Sequence, residues 1–143
     1  MANLIYPKAP LVETVFEIRF PGNPSVECHR DEVYQEFQAA FPVVKTPVKI
    51  PPGSSLAAAP YQFQSEDGKN TIMISINVLA YSTKAYEGFD IFKKQAMQLI
   101  NFFGKRFKIG NLKRTGLRYI NVMPFVRENG AIPVSRFLNM GVN

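Results

Sequence analysis

The sequence has 143 residues, a length for one compact domain and a tight fit for two. Apolar residues make up 46% and aromatic residues 13%, enough ring surface for a sizeable core, which excludes disorder over most of the chain. The net charge is +6, and the single cysteine, Cys28, excludes an intrachain disulfide and points to a reducing, cytoplasmic compartment.

No apolar run approaches the roughly 20 residues that cross a bilayer. Residues 1–7 lack the basic-then-apolar pattern of a secretory signal. Residues 11–20 alternate, with Val12, Phe16, Ile18 and Phe20 on one parity and Glu13, Val15, Glu17 and Arg19 on the other. That is the pattern of a half-buried strand. Pro21-Gly22-Asn23-Pro24 stops it. Ser25 then stands where an N-cap belongs, and residues 26–41 read as a helix with an apolar stripe of Val33, Phe37, Ala40 and Phe41. Residues 42–60 hold five prolines, which argues against a helix or a central strand. An edge strand over 43–50 is the exception the pattern allows.

Residues 61–66 and 71–82 read as two strands around Asp67-Gly68-Lys69-Asn70, a strong hairpin signal. The second run places Ile72, Ile74, Ile76, Val78 and Ala80 on one side. Met73, Ser75, Asn77, Leu79 and Tyr81 fall on the other. Residues 89–107 form a second helix, with Phe92, Ala96, Leu99, Ile100, Phe103 and Phe107 as its buried stripe. Gly110 is the expected C-cap. Residues 111–123 return as a strand closed by Pro124, and 134–140 have the look of a further helix, whose Phe137 and Leu138 need a surface to bury.

The order strand, helix, strand, strand, helix, strand predicts an α+β fold of the ferredoxin-like βαββαβ type. Its antiparallel sheet carries two helices on one face and leaves the other face open. The predicted domain is 1–125. Residues 126–143 have no place in that unit and read as a tail that starts a truncated C-terminal region.

Several segments carry a resemblance. They are Ala9-Pro10-Leu11-Val12-Glu13, Phe16-Glu17-Ile18-Arg19-Phe20, Tyr86-Glu87-Gly88-Phe89 and Gly116-Leu117-Arg118-Tyr119-Ile120-Asn121. In this order they resemble a sporadically distributed family of uncharacterised prokaryotic proteins, in which the third motif is usually Tyr-x-Gly-Trp. The resemblance covers most of residues 6–121. It implies that the chain corresponds to the N-terminal part of a protein nearly twice as long. It supplies no activity and no site residues.

Charge is unevenly spread. Between Asp90 and Glu128 lie nine basic residues and no acid, while the rest of the chain sums to −3. Lys93, Lys94, Lys105, Arg106, Lys108 and Lys113 are the candidate contacts to nucleic acid or to an acidic partner. Aromatics and arginines on an open sheet face would support base stacking, but that face offers one ring, Tyr81, and no platform.

Cys28 and His29 are adjacent, so on a helix they point about 100° apart and do not converge on one metal. Glu13 and Glu17 share a strand face, where paired carboxylates can act as acid and base or hold a cation. A cross-strand ion-pair ladder with Arg114 and Arg118 explains them more simply. Parity on 111–123 is ambiguous, because Leu117, Tyr119 and Met123 oppose Arg114, Arg118, Ile120 and Val122. Burying two unpaired arginines is far costlier than exposing an aliphatic pair. Leu117 and Tyr119 are therefore expected to face the helices, and Arg114 and Arg118 the open side. The glycines form no phosphate-binding motif, and no serine sits in a nucleophile elbow.

No catalytic, cofactor-binding or metal-ligating residue is assigned, and no cofactor is expected. The reading the residues favour is a non-enzymatic interaction module. Its open face would mediate self-association, or docking of a missing C-terminal half, through Val15, Met73, Leu79, Tyr81, Phe137 and Leu138. A nucleic-acid-binding domain comes second. An enzyme built on Glu13 and Glu17 ranks last, because acids, histidine and cysteine do not cluster.

Overall fold

The computed structural model of the chain describes residues 10–46 and 60–136. Strand β1 (Leu11–Arg19) is followed by helices α1 (Pro24–Cys28) and α2 (Arg30–Phe37), and then by the short strand β2 (Val43–Lys45). Strands β3 (Tyr61–Gln64), β4 (Asn70–Ser75) and β5 (Val78–Thr83) come next. Helix α3 (Phe89–Phe107), strand β6 (Arg114–Asn121) and a 3₁₀ turn (Val134–Arg136) complete the described chain. The architecture is mixed α and β: six strands form one antiparallel sheet in the order β2-β3-β4-β5-β1-β6.

One apolar cluster holds the layers together. It joins Ile18 and Phe20 of the first strand region, Phe63, Ile72, Ile74, Leu79 and Tyr81 of β3–β5, and Val26 and Val33 of the short helices. Phe92, Ala96, Leu99, Phe103 and Phe107 of α3 complete it. The strand residues of this cluster share one face of the sheet, and residues of all three helices pack into the same cluster. An edge-on Phe37–Phe102 ring contact at 5.6 Å joins α2 to α3.

Both the first helix, expected to reach 41, and the last strand, expected over 111–123, are shorter, ending at Phe37 and spanning Arg114–Asn121, and three other boundaries differ for a local reason. The first helix is broken at His29, whose backbone (φ −123°, ψ 33°) leaves the helical region. Its N-cap is Asn23 and not Ser25: the Asn23 side chain accepts the Ser25 N–H at 3.0 Å, and Pro24 occupies the first turn, where no donor is needed. At the end of α3 the left-handed position falls on Lys108 (φ 51°), ahead of the expected Gly110.

The largest change concerns residues 71–82, expected as one strand. Ile76 and Asn77 form a two-residue turn that splits it into β4 and β5, with Ser75 opposite Val78. Neither residue takes a positive φ, so the turn needs no glycine. It is tied instead to distant chain: Phe20 N–H donates to Asn77 O at 3.1 Å and Asn23 N–H to Ile76 O at 2.8 Å. Past this turn numerical parity reverses. Met73 stays on the open face, opposite Ala80, whereas Leu79 and Tyr81 turn into the core and are 2% exposed. They are corrected from interface candidates to core residues.

Of the edge strand expected over 43–50, the described residues show Val43–Lys45. Residues 47–59 lie outside the described residues, as do Phe137 and Leu138 and most of the helix expected at 134–140.

Candidate functional site: the uncovered sheet face and strand β6

The face that no described helix covers is built by alternate residues of every central strand. Across the β1–β6 ladder Val15 lies opposite Arg118, Glu17 opposite Gly116, Glu13 opposite Ile120 and Arg19 opposite Arg114. Gly116 has no side chain to set against Glu17, so that carboxylate reaches along its own strand to Arg19 and diagonally to Arg118. Glu17 Oε1 accepts from Arg19 Nε at 2.8 Å, and Oε2 lies 3.9 Å from Arg118 Nη2. The Glu17 side chain is 14% exposed and that of Arg118 64%.

The four candidate ladder residues are thus only partly brought together. Arg118 and Glu17 meet. Glu13 and Arg114 make no ion pair among the described residues, and Arg114 faces the like charge of Arg19. Beside them the face dips into a groove of about 340 Å³. Val15, Met73 and Ala80 line it together with Gln62, Gln64 and Lys84. The floor is apolar and the rim carries both signs of charge.

Leu117 and Tyr119 lie on the helix side of β6. Tyr119 meets Tyr86 edge-on at 5.7 Å, with the two hydroxyl groups 3.4 Å apart. Burial, with the Tyr119 hydroxyl adding to it, pushes the Tyr86 hydroxyl up to about 12. Yet both β6 residues remain 44% exposed. After Tyr119, Val122, Met123, Phe125 and Val126 are exposed too, Val126 to 85%.

Asn129 (φ 50°) and Gly130 (φ 77°) then reverse the chain, with Glu128 and Ala131 exchanging hydrogen bonds of 3.0 and 2.9 Å. Two successive positive φ values make this a type I′ turn. The Asn-Gly pair was a legible signal for it, and the sequence reading passes over it.

The basic candidates do not form one patch. Arg106 clasps Glu32 of α2 with both nitrogens of its fork, Nη2 lying 2.7 Å from Oε1, so it is committed to holding the helices together. This contact holds the Glu32 carboxyl below its usual range and raises Arg106. Lys93 and Lys94 lie about 17 Å along the α3 axis from Lys105. Exposed Met97, Gln98 and Asn101 stand between them. Lys108 and Lys113 lie beyond the C-terminal end of α3.

His29 is held locally, its Nδ1 donating to Ser25 O at 2.9 Å. Cys28 is exposed beside a groove between the short helices and β2–β3. Arg30 lies 3.5 Å over the Tyr61 ring there. Among the described residues no group of three His, Cys, Asp or Glu side chains is placed to hold a metal ion. No helix among them is long and apolar enough to cross a membrane.

One further cavity, of about 190 Å³, opens between α2, α3 and β4–β5. Phe37, Phe41, Ile72 and Leu99 wall it, and the Tyr81 hydroxyl lies there between Gln95 and Asn70. Burial pushes Tyr81 up to about 12. The sequence offered no signal for this cavity, because it depends on the reversal of parity at Ile76-Asn77. No family model, curated protein or solved structure matches the chain.

Proposed function

We propose that this chain is a non-enzymatic interaction module. Its docking surface is the uncovered sheet face, continued by β6 and the segment after it. The observation that supports this reading is the set of exposed apolar side chains at β6, Ile120 on the open face and Leu117 and Tyr119 on the helix side, followed by Val122 and Val126, in an otherwise well-filled fold. Apolar side chains left exposed at one sheet edge mark a place where another polypeptide can sit.

Self-association as a two-fold dimer is the form we favour, since closed two-fold pairs are the commonest assembly. Light scattering over a concentration series tests it. The wild type is expected to approach the mass of two copies. Met73→Lys with Ile120→Lys, which place charges on the open face, are expected to return it to one copy with unchanged circular dichroism. A wild type that stays monomeric at every concentration refutes the dimer.

The fold reading that goes with this proposal is a ferredoxin-like βαββαβ core, made of β1, the α1–α2 region, β4, β5, α3 and β6. Strands β2 and β3 would extend it. The sheet order β4-β5-β1-β6 within the larger sheet supports it. The family resemblance belongs to the same proposal. Two of its motifs are neighbours in the sheet, with Phe16 opposite Leu117 and Glu17 opposite Gly116. A cytoplasmic setting suits the exposed Cys28 thiol.

A nucleic-acid interface is the second reading. Lys113, Arg114 and Arg118 are exposed together near β6. Arg106 is taken by Glu32, and the remaining lysines are spread over both ends of α3. Binding to single-stranded oligonucleotides that falls steeply with salt would move this reading ahead of the first.

A further inference from the structure

The two edges of the sheet are built differently. β2 is three residues long and stands between Pro42 and Pro47 in the sequence, the kind of short, proline-bounded edge that resists further pairing. β6 is eight residues long, contains no proline, and among the described residues pairs only with β1.

The direction of its free hydrogen-bonding groups follows from the ladder. Phe20 N–H donates to Asn77 O on the β5 side, so even-numbered groups of β1 turn toward β5 and odd-numbered groups toward β6. The partners of those odd residues are Ile120, Arg118, Gly116 and Arg114, whose N–H and C=O groups turn inward. Val122 N–H, of the same parity, donates inward to Pro10 O at 2.8 Å. The N–H and C=O groups of Thr115, Leu117 and Tyr119 therefore turn out to the free edge.

The side chains along that edge state what would pair with it. Arg114 and Arg118 stand on one face of β6 and Leu117 and Tyr119 on the other, in a stretch without any acid from 91 to 127. A strand laid beside it is favoured when carboxylates fall on the arginine face and apolar side chains on the other. β1 already meets the inner edge with that pattern, Glu13 and Glu17 on one face and Phe16 and Ile18 on the other. A second copy of β6 would instead bring one row of arginines beside another.

We infer that the free edge of β6 takes up, by strand addition, an extended acidic–apolar segment of a partner protein. The inference rests on the interaction-module reading and names the chemistry of its partner.

The test uses the full chain and a capped octapeptide of four Glu-Val repeats as the probe. It should bind, shifting and protecting the amides of Thr115, Leu117 and Tyr119 in nuclear magnetic resonance and hydrogen-exchange spectra. Its Lys-Val counterpart should not bind. Alternate N-methylation of the probe, which removes its edge donors and keeps its charge, should weaken binding by about tenfold or more. Leu117→Pro should do the same. It removes an outward N–H and leaves the β1–β6 ladder intact, a position where an edge strand tolerates proline.

If Leu117→Pro fails to fold, the N-methylated probe on the wild type decides alone. Absence of uptake, or uptake indifferent to N-methylation, overturns the inference. So does a dimer that Leu117→Pro disperses, which would assign the edge to a second copy. Uptake by a chain that stays monomeric, or that keeps binding after Met73→Lys, separates this inference from the dimer proposed above.

Discussion

Thr14 is fully buried on the helix side of β1, and its Oγ1 finds no hydrogen-bond partner among the described residues. A buried hydroxyl without a partner loses its water and gains nothing in return. Thr14→Val keeps the branched shape and removes the orphaned oxygen. The expected result is a gain of about 1 kcal/mol, read from urea unfolding midpoints. Lys108 is a second residue whose chemistry and position disagree. Its φ of 51° is left-handed, a region that costs an L side chain roughly 1 kcal/mol and costs glycine nothing. Lys108→Gly is expected to raise stability by about 0.5–1 kcal/mol, with the same measurement as the check.

At the scale of elements, the start of α1 depends on one side chain. Asn23 caps Ser25 N–H and also donates from Nδ2 to Phe107 O at 3.3 Å, so it joins the beginning of one helix to the end of another. Asn23→Ala removes both contacts, and a loss of about 1–2 kcal/mol is expected in thermal or urea unfolding. The clasp between α2 and α3 has a pH signature. Arg106 lowers the Glu32 carboxyl in the folded chain, while the unfolded chain titrates in the ordinary carboxylate range. The contribution of this pair is therefore complete above that ordinary range and is lost as pH falls through the lowered folded value. Both groups are exposed, so the effect is small. Glu32→Gln should lower the neutral midpoint slightly and flatten the decline in acid, as urea midpoints taken down to about pH 3 would show.

These elements also mark what was legible. Helix α3 has the bounds its 3.6-residue stripe predicts, because Phe92, Leu99, Phe103 and Phe107, with Ala96 between the first two, repeat on one face. The Asp67-Gly68 turn is equally plain: Gly68 takes φ 68°, and Asp67 accepts from Ser65 Oγ and Lys69 N–H, which holds its carboxyl below the usual range. Ile76-Asn77 left no local mark, since its turn is held by hydrogen bonds from Phe20 and Asn23, more than fifty residues away. That single omission carried Leu79 and Tyr81 to the wrong face. The orientation of β6 was reached only through the cost of burying arginine, and which arginine meets Glu17 depended on the register.

For the whole molecule, the decisive feature is which strand sits where. β1 opens the described chain, yet it lies inside the sheet, between β5 and β6. Arg19 pairs with Arg114 and Glu13 with Ile120, so the partners on its outer side stand about a hundred residues apart, a separation with a loop-closure cost near 4 kcal/mol before any constant term. Such long-range closure makes folding slow and delays it until residues 114–121 have been made. During synthesis, everything up to α3 can assemble while β1 still shows a bare edge. A nascent chain that has released α3 while β6 is still inside the ribosome would therefore show an open, partly apolar strand, the species most exposed to mispairing. Chains truncated after residue 110 are expected to collect in the insoluble fraction. Adding residues 111–123 back should restore solubility, measured by fractionation of cell extracts.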